Sequence, residues 1–342
     1  MSKHSINRLK KIIESFPEIT VTVVGDFVAD EFVFGEISRV SREAPVLILK
    51  HRERTVLPGG GANAVNNLAS LGVNVLAVGI VGEDEVGSLL LDVLRKKRVA
   101  VSGIQKDRTY TTPTKTRILA GMAHTSRQQV VRIDREPEAE PSRHQQRKIV
   151  SAAREYLKAS DALLISDYGY GAATPKIIAA IRGKETFGDL PVVLDSRHRM
   201  LQFSGVTAAT PNEPEVEDAL GVVIGHDWPR LCSAGAEIIS RMKLQSLIIT
   251  RGRDGMVAFR GEQKPVDIPI SGSDQVADVT GAGDTVIATF TAALAAGANA
   301  EEAAHLANYA GGIVVMKRGT ATVSRAELLQ AVERTPAATR SH

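Results

Sequence analysis

The chain has 342 residues, 43% of them hydrophobic and 24% charged, with a formal net charge of +3, the balance of a globular protein with room for a sizeable core. No dense Lys/Arg block with interleaved aromatics occurs, so no nucleic-acid partner is expected. Apolar runs are too short and interrupted to span a bilayer, and residues 1–16 lack the apolar stretch of a signal peptide, so the expectation is a cytoplasmic protein without membrane contact. The single cysteine, Cys232, permits no intrachain disulfide and no cysteine-based zinc site. Aromatics are only 4% of the chain, so Val, Ile, Leu and Ala must build the core.

Along the chain, compact apolar runs at 21–24, 75–81, 162–165, 192–195 and 246–250 predict buried strands. Three-to-four-residue apolar spacing predicts helices over 62–71, 87–98, 143–160, 175–182, 213–220 and 231–242. Alternating strands and helices imply an α/β protein: three layers, α/β/α, around a mostly parallel central sheet. Two stretches break the rhythm, 30–56 and 111–134, and read as antiparallel strands without helices between them. They are expected to form a small β-sheet lid over the main domain, with an apolar face that covers a site or pairs with a second subunit as a homodimer. One large domain over 1–335 is expected, followed by a disordered tail at 336–342.

The strongest local signal is Asp278-Val279-Thr280-Gly281-Ala282-Gly283-Asp284-Thr285, followed by an apolar helical run at 286–296. Glycines around a small residue at a helix start leave main-chain amides open to an anion, aided by the helix dipole. Gly281, Ala282 and Gly283 suit a cradle for a phosphoryl group. Asp284 beside them suits a base that takes a proton from an accepting hydroxyl. The plainer alternative is an acid that complements the helix dipole. The second signal is Pro58-Gly59-Gly60-Gly61-Ala62-Asn63. Gly59 and Gly60 allow close approach of a ligand, and Asn63 both donates and accepts. No GxxxxGK[ST] string occurs, so this is not a P-loop. Nor does GxGxxG follow the first strand, as a dinucleotide-binding oxidoreductase would require.

Together these two motifs resemble the signature pair of the PfkB, or ribokinase-like, carbohydrate kinases, over nearly the whole chain. The resemblance implies ATP and Mg²⁺ as cofactors and roles for further positions. Asp26 and Asp30 match acidic positions that hold sugar hydroxyls. Asn212 and Glu215, in Thr210-Pro211-Asn212-Glu213-Pro214-Glu215, match an element that organises the metal through water and the ATP phosphates. The same spacing also makes a helix cap. Thr250, Gly252 and Gly255 match a nucleotide-side loop, and Asn308, on a helix expected at 303–316, matches a position lining the adenine pocket, with a helix-packing amide as the alternative.

A closer similarity is to the heptose 7-phosphate kinases of ADP-heptose synthesis. It rests on Ser38-Arg39-Val40-Ser41-Arg42-Glu43-Ala44-Pro45-Val46, on Thr114-Lys115-Thr116-Arg117, on Gln128-Gln129 with Arg132-Ile133-Asp134, on Ser166-Asp167-Tyr168 and on Gly319-Thr320-Ala321-Thr322-Val323. It implies a small-molecule sugar phosphate as substrate. Arg39, Lys115, Arg117 and Arg132 are the cations for its phosphate, although any one of them alone could be a solvated strand charge. Two departures concern the identity of the sugar: the stretch 120–127 is longer than that family's turn, and Asp195-Ser196-Arg197 replaces Asp-Pro-Lys. Any nucleotidyl transfer would fall to another protein. The rivals are a kinase of ribose, fructose, fructose 1-phosphate or a nucleoside, and a non-catalytic sugar-binding homologue.

Overall fold

The computed structural model describes residues 3–121, 127–182, 190–261, 263–271, 278–317 and 319–334. The tail at 336–342 and part of the 120–127 stretch lie outside them. In chain order the elements open with α1 (Lys3–Glu14), β1 (Thr20–Gly25), β2 (Phe27–Val40), β3 (Leu47–Gly60), α2 (Gly61–Ser70), β4 (Asn74–Gly82), α3 (Glu85–Lys96) and β5 (Ala100–Asp107). They continue with β6 (Thr114–Gly121), β7 (Gln128–Arg135), α4 (Arg143–Leu157), β8 (Ala162–Asp167), α5 (Pro175–Arg182), β9 (Val192–Ser196), β10 (Ala208–Ala209), α6 (Glu213–Leu220) and α7 (Trp228–Met242). The last are β11 (Ser246–Thr250), β12 (Met256–Arg260), β13 (Val266–Ile268), α8 (Ala282–Ala295), α9 (Ala300–Val314) and α10 (Arg325–Arg334).

Among the described residues the main sheet has the order β13-β12-β11-β10-β9-β8-β1-β4-β5. It is parallel from β5 to β11, and β12 and β13 close one edge antiparallel. Side chains alternate across it. Val21, Val23, Leu164 and Ile248 enter the core under α1, α2, α3, α8, α9 and α10. Val24, Leu163, Ile165, Leu247 and Ile249 enter the opposite core, under α4, α5 and α7. Both faces are covered, which is why these strands read as unbroken apolar runs and not as alternating ones. Short polar signals set the helix starts: Asp84 caps α3, and Ser142 with Gln145 forms a capping box on α4. Helix α1 is strongly charged, yet Leu9, Ile12 and Ile13 share one face and are buried beside α10.

The lid is a four-stranded sheet in the order β3-β2-β6-β7. Its outer pairs are antiparallel, but β2 and β6 pair in parallel, from Ala29–Thr114 to Glu36–Gly121, contrary to the all-antiparallel expectation. The reason is topological. Strand β2 continues from the carboxyl end of β1, and β6 follows the carboxyl end of β5. Since β1, β4 and β5 are parallel, both lid strands leave the same edge of the main sheet in the same direction. The lid also begins and ends its first hairpin closer to the main sheet than expected, at Phe27 and Gly60.

Helix α8 carries the glycine-rich string at its start and is anchored beyond it by Phe290, which is fully buried. Phe290→Ala should cost about 3–5 kcal/mol of unfolding free energy, read by chemical denaturation. A loss under about 1 kcal/mol would mean that this ring does not anchor α8.

Candidate active site

The site lies where the carboxyl ends of β1 and β8 meet the amino termini of α2 and α8. Gly281 caps α8 in a left-handed conformation (φ 78°). A Cβ there would stand 2.5 Å from Asn63 Nδ2, so only glycine suits both the backbone and the space. The Ala282 amide donates back to the Val279 carbonyl at 3.2 Å and is therefore not an open donor, contrary to expectation. Among the described residues no main-chain carbonyl takes the amides of Gly283 and Asp284, which leaves these two for an anion at the helix start.

Asp284 is 5% exposed. Asn63 Nδ2 donates to its Oδ2 at 2.8 Å, and the Tyr168 hydroxyl donates to its Oδ1 at 2.7 Å. Burial pushes this carboxyl up to about 6, against the pull of those two donors and of Lys115; the charge of Asp30 adds to the rise. The same burial, with Asp284 beside it, raises the Tyr168 phenol well above its ordinary value, so it stays a donor.

Asp26 and Asp30 do different things. Asp26 is 1% exposed, and its carboxylate accepts from the amides of Tyr168 (2.9 Å), Tyr170 (3.0 Å) and Ala172 (2.8 Å). Where the resemblance implies a sugar ligand, these oxygens accept from the loop after β8, which they hold in place. Asp30 faces Gly59, where a Cβ would lie 2.6 Å from its Oδ2, and accepts from Arg117 Nη1 at 2.6 Å. Gly60 (φ 51°) leaves room for the Tyr168 ring.

The four lid cations separate. Lys115 is half-buried over the Tyr168 ring, 5.9 Å from its centre, and its pKa is lowered by burial and then by Arg197. Arg117 is committed to Asp30 and stacks on Phe32. Arg132 forms a two-pronged pair with Asp134 at 2.8 and 2.9 Å, while still lining the same cleft as Lys115. Arg39 is exposed nine positions along β2 from Asp30, roughly 30 Å away at the rise of a strand. It does not join this site. The cleft, about 550 Å³, is lined by Lys115, Arg132, Tyr168, Arg197 and His198, with Glu136, Glu138 and Glu140 on its rim.

On the other side of the α8 start, Thr250, Gly252, Gly255 and Asn308 line an apolar pocket of about 160 Å³ together with Ala282 and Gly283. Asn308 Nδ2 donates to the Pro269 carbonyl at 2.7 Å, so it packs and lines the pocket at once. Asn212 and Glu215 form a reciprocal capping box at 2.9 Å in each direction, and Asn212 bridges to Thr250. Burial raises the pKa of Glu215. Asp195 is pushed well up, first by burial and then by the charges of Glu215, Asp284 and Asp167.

Sequence reasoning named neither Asn67, Thr285 and Asp195 as site residues nor the roles of Tyr168 and Arg197. Tyr168 and Arg197 stood inside quoted strings, but what brings them to the site is the folding of loops that carry no local signal. Replacing Asp284 by Asn keeps both hydrogen bonds, since the amide oxygen accepts from Asn63 and its nitrogen donates to Tyr168. The wild-type carboxyl, raised above its unfolded value of 3.8, favours the fold fully below that value and loses the contribution as pH rises through about 6. Asp284→Asn should therefore be more stable than wild type by about 1–3 kcal/mol at pH 8, a difference that shrinks at pH 5. Equal melting temperatures at pH 8 would contradict the burial cost.

The chain matches the pfkB family carbohydrate kinases over residues 21–327. It is 41% identical to the bifunctional protein HldE of Geobacter metallireducens, over 91% of this chain and 62% of that one. Identity to HldE of Gluconobacter oxydans is 38%, over 93% and 65%. The chain thus spans less than two thirds of the length of these relatives. In fold it resembles Arabidopsis thaliana ribokinase complexed with ribose and ATP (TM-score 0.72, 21% identity, 93% of this chain and 99% of that one). It also resembles Escherichia coli phosphofructokinase-2 in complex with substrates and products (TM-score 0.72, 17% identity, 92% and 98%). Among the described residues no helix is long and apolar enough to cross a membrane. With its signature glycines at α2 and α8, its three-layer sheet and its β lid, the chain belongs to the pfkB family of carbohydrate kinases.

Proposed function

We propose that this carbohydrate kinase transfers the γ-phosphoryl group of ATP to O1 of D-glycero-D-manno-heptose 7-phosphate, giving the 1,7-bisphosphate, with Asp284 as base. The observation that carries the chemistry is the placement of Asp284: a buried carboxylate in the first turn of α8, beside two open main-chain amides and between a cleft that holds Lys115, Arg132 and Arg197 and an apolar pocket. The heptose assignment rests on the lid strings and on the likeness to the HldE proteins.

In this reading the sugar hydroxyl approaches Asp284 Oδ1, where the Tyr168 hydroxyl now sits, and gives up its proton there. A bond forms from the sugar hydroxyl's oxygen to the γ-phosphorus, and the bond to the β–γ bridging oxygen breaks to release ADP. The amides of Gly283 and Asp284 meet the negative charge on the transferring group. Asp30, Gly59, Gly60 and Asn63 border the sugar. Lys115, Arg132 and Arg197 receive its distal phosphate, with Arg117 serving through Asp30 and Asp26 through the Tyr168 loop. Thr250, Gly252, Gly255 and Asn308 border the adenine. The negative field around Asp195 and Glu215 suits a divalent cation, and no direct metal-binding cluster occurs among the described residues, so Glu215 would hold Mg²⁺ through retained water. When bound, Mg²⁺ neutralises the ATP phosphates. The kinase unit is taken as residues 1–335. Exposed Val40, Val46, Leu47, Val130, Val131 and Ile133 on the lid support a homodimer through it.

One observation favours a second reading: Glu136, Glu138 and Glu140 on the cleft rim oppose a phosphate and suit an uncharged sugar. ADP release with Mg-ATP separates the two. Heptose 7-phosphate should be turned over in preference to ribose, fructose, fructose 1-phosphate and adenosine, whereas preference for a neutral sugar would move the assignment within the family. Asp284→Asn should lower kcat by about 10²–10⁴-fold with ATP affinity kept, and near-normal turnover would remove Asp284 as base. Arg197→Ala should raise KM for the heptose phosphate about tenfold or more, with the KM for ATP little changed. An unchanged heptose KM would take Arg197 out of the phosphate site.

A further inference from the structure

Four side chains buried between α2 and α8 make one hydrogen-bond chain, directed by a main-chain carbonyl at one end and held by a hydroxyl donor at the other. Asn67 Nδ2 donates to the main-chain carbonyl of Asn63 at 3.0 Å and to Asn63 Oδ1 at 3.2 Å. A main-chain carbonyl can only accept, so the Asn67 amide has one permitted orientation. That orientation turns Asn67 Oδ1 towards Thr285, whose hydroxyl donates to it at 2.9 Å and lies 3.2 Å from the Gly281 carbonyl. It also makes Asn63 Oδ1 an acceptor, so Asn63 Nδ2 is what faces Asp284 Oδ2, at 2.8 Å. Asn63, Asn67 and Thr285 are 0% exposed, so bulk water cannot substitute for any member.

We propose that Asn67 and Thr285 are positioning residues for phosphoryl transfer: they hold Asn63 as an obligate donor to one oxygen of Asp284 and thereby reserve the other, Oδ1, for the proton of the accepting hydroxyl. The inference rests on the reading of Asp284 as base. The Tyr168 hydroxyl, 2.7 Å from Oδ1, marks where that proton arrives. Without the chain, the Asn63 amide is free to flip and present its carbonyl to the carboxylate, which disfavours the ionised, proton-accepting form. Among the described residues, the charged or titratable groups around Asp284 include Asp30 from β2, Lys115 from β6, Tyr168 after β8 and Asp195 from β9. All are untouched by substitutions at Asn67 or Thr285.

The test is the pH profile of kcat for wild type, Thr285→Val, Thr285→Ser and Asn67→Leu, with Asp284→Asn as control. Thr285→Val and Asn67→Leu should move the acid limb up by about 0.5–1 pH unit and lower activity more at pH 6 than at pH 8, with the KM for ATP unchanged. Thr285→Ser keeps the hydroxyl and should return the limb to the wild-type position. A merely structural role would lower the melting temperature and leave the limb in place. Valine matches threonine in shape, so Thr285→Val remains informative if Asn67→Leu fails to fold. An unmoved limb in folded Thr285→Val overturns the inference, while retained turnover in Asp284→Asn overturns the assignment of the base itself.

Discussion

The carboxylate of Asp26 sits at the joint between β1 and β2 with no ion-pair partner among the described residues, and three main-chain amides of one loop close on it. A buried charge without a counter-ion persists only if hydrogen bonds replace its water, and here they come from backbone that would otherwise have no partner. Burial lifts the carboxyl to about 6 while the three donors pull it down. From this clamp the rest follows. The loop turns Tyr168 towards Asp284 on one side, and β2 departs with Asp30 on the other. Asp167, next to Tyr168, anchors Arg199 and accepts from Ser196, so the segment bearing Arg197 is tied to the same point.

Much of this architecture could be read from the chain. Strands β1, β4, β8, β9 and β11 are buried on both faces, so their composition announced them, and the helices between them carry regular apolar spacing; β5 and β13 are partly exposed and β10 is two residues long, and these, with β12, carried no such signal. The start of α8 was legible for a physical reason: Gly281 is required both by a left-handed backbone and by the proximity of Asn63, and such a double demand leaves a mark in the sequence. Helix α1 left no such mark, because three buried side chains among many charges resemble a solvated segment until α10 is placed against them.

What could not be read is mostly direction and reach. Apolar periodicity is the same for a parallel and an antiparallel neighbour, so the β2–β6 pairing depended on where the two chains leave the main sheet. Asp26 and Asp30 look alike as acids near a strand end, yet one is enclosed by amides and the other paired with Arg117, 87 residues away. Arg39 and Lys115 look alike as lid cations, but strand geometry alone puts one far from the site. The hydrogen bond from Asn63 to Asp284 spans 221 residues. Contacts of that range depend on the packing of α2 against α8, and no local pattern encodes them.

The junctions of the lid have a mechanical consequence. One residue, Asp26, separates β1 from β2, and β3 passes straight into α2 at Gly60 and Gly61. Strand β2, at 14 residues, has the proportions of a lever roughly 45 Å long, with its base beside Tyr168 and Asp30. A few degrees of rotation would sweep its tip through several ångströms while shifting Asp30, four residues from the joint, about a third as far. The arrangement scales motion down: an excursion at the far edge of the lid becomes a smaller shift of Asp30, the carboxylate that Arg117 holds.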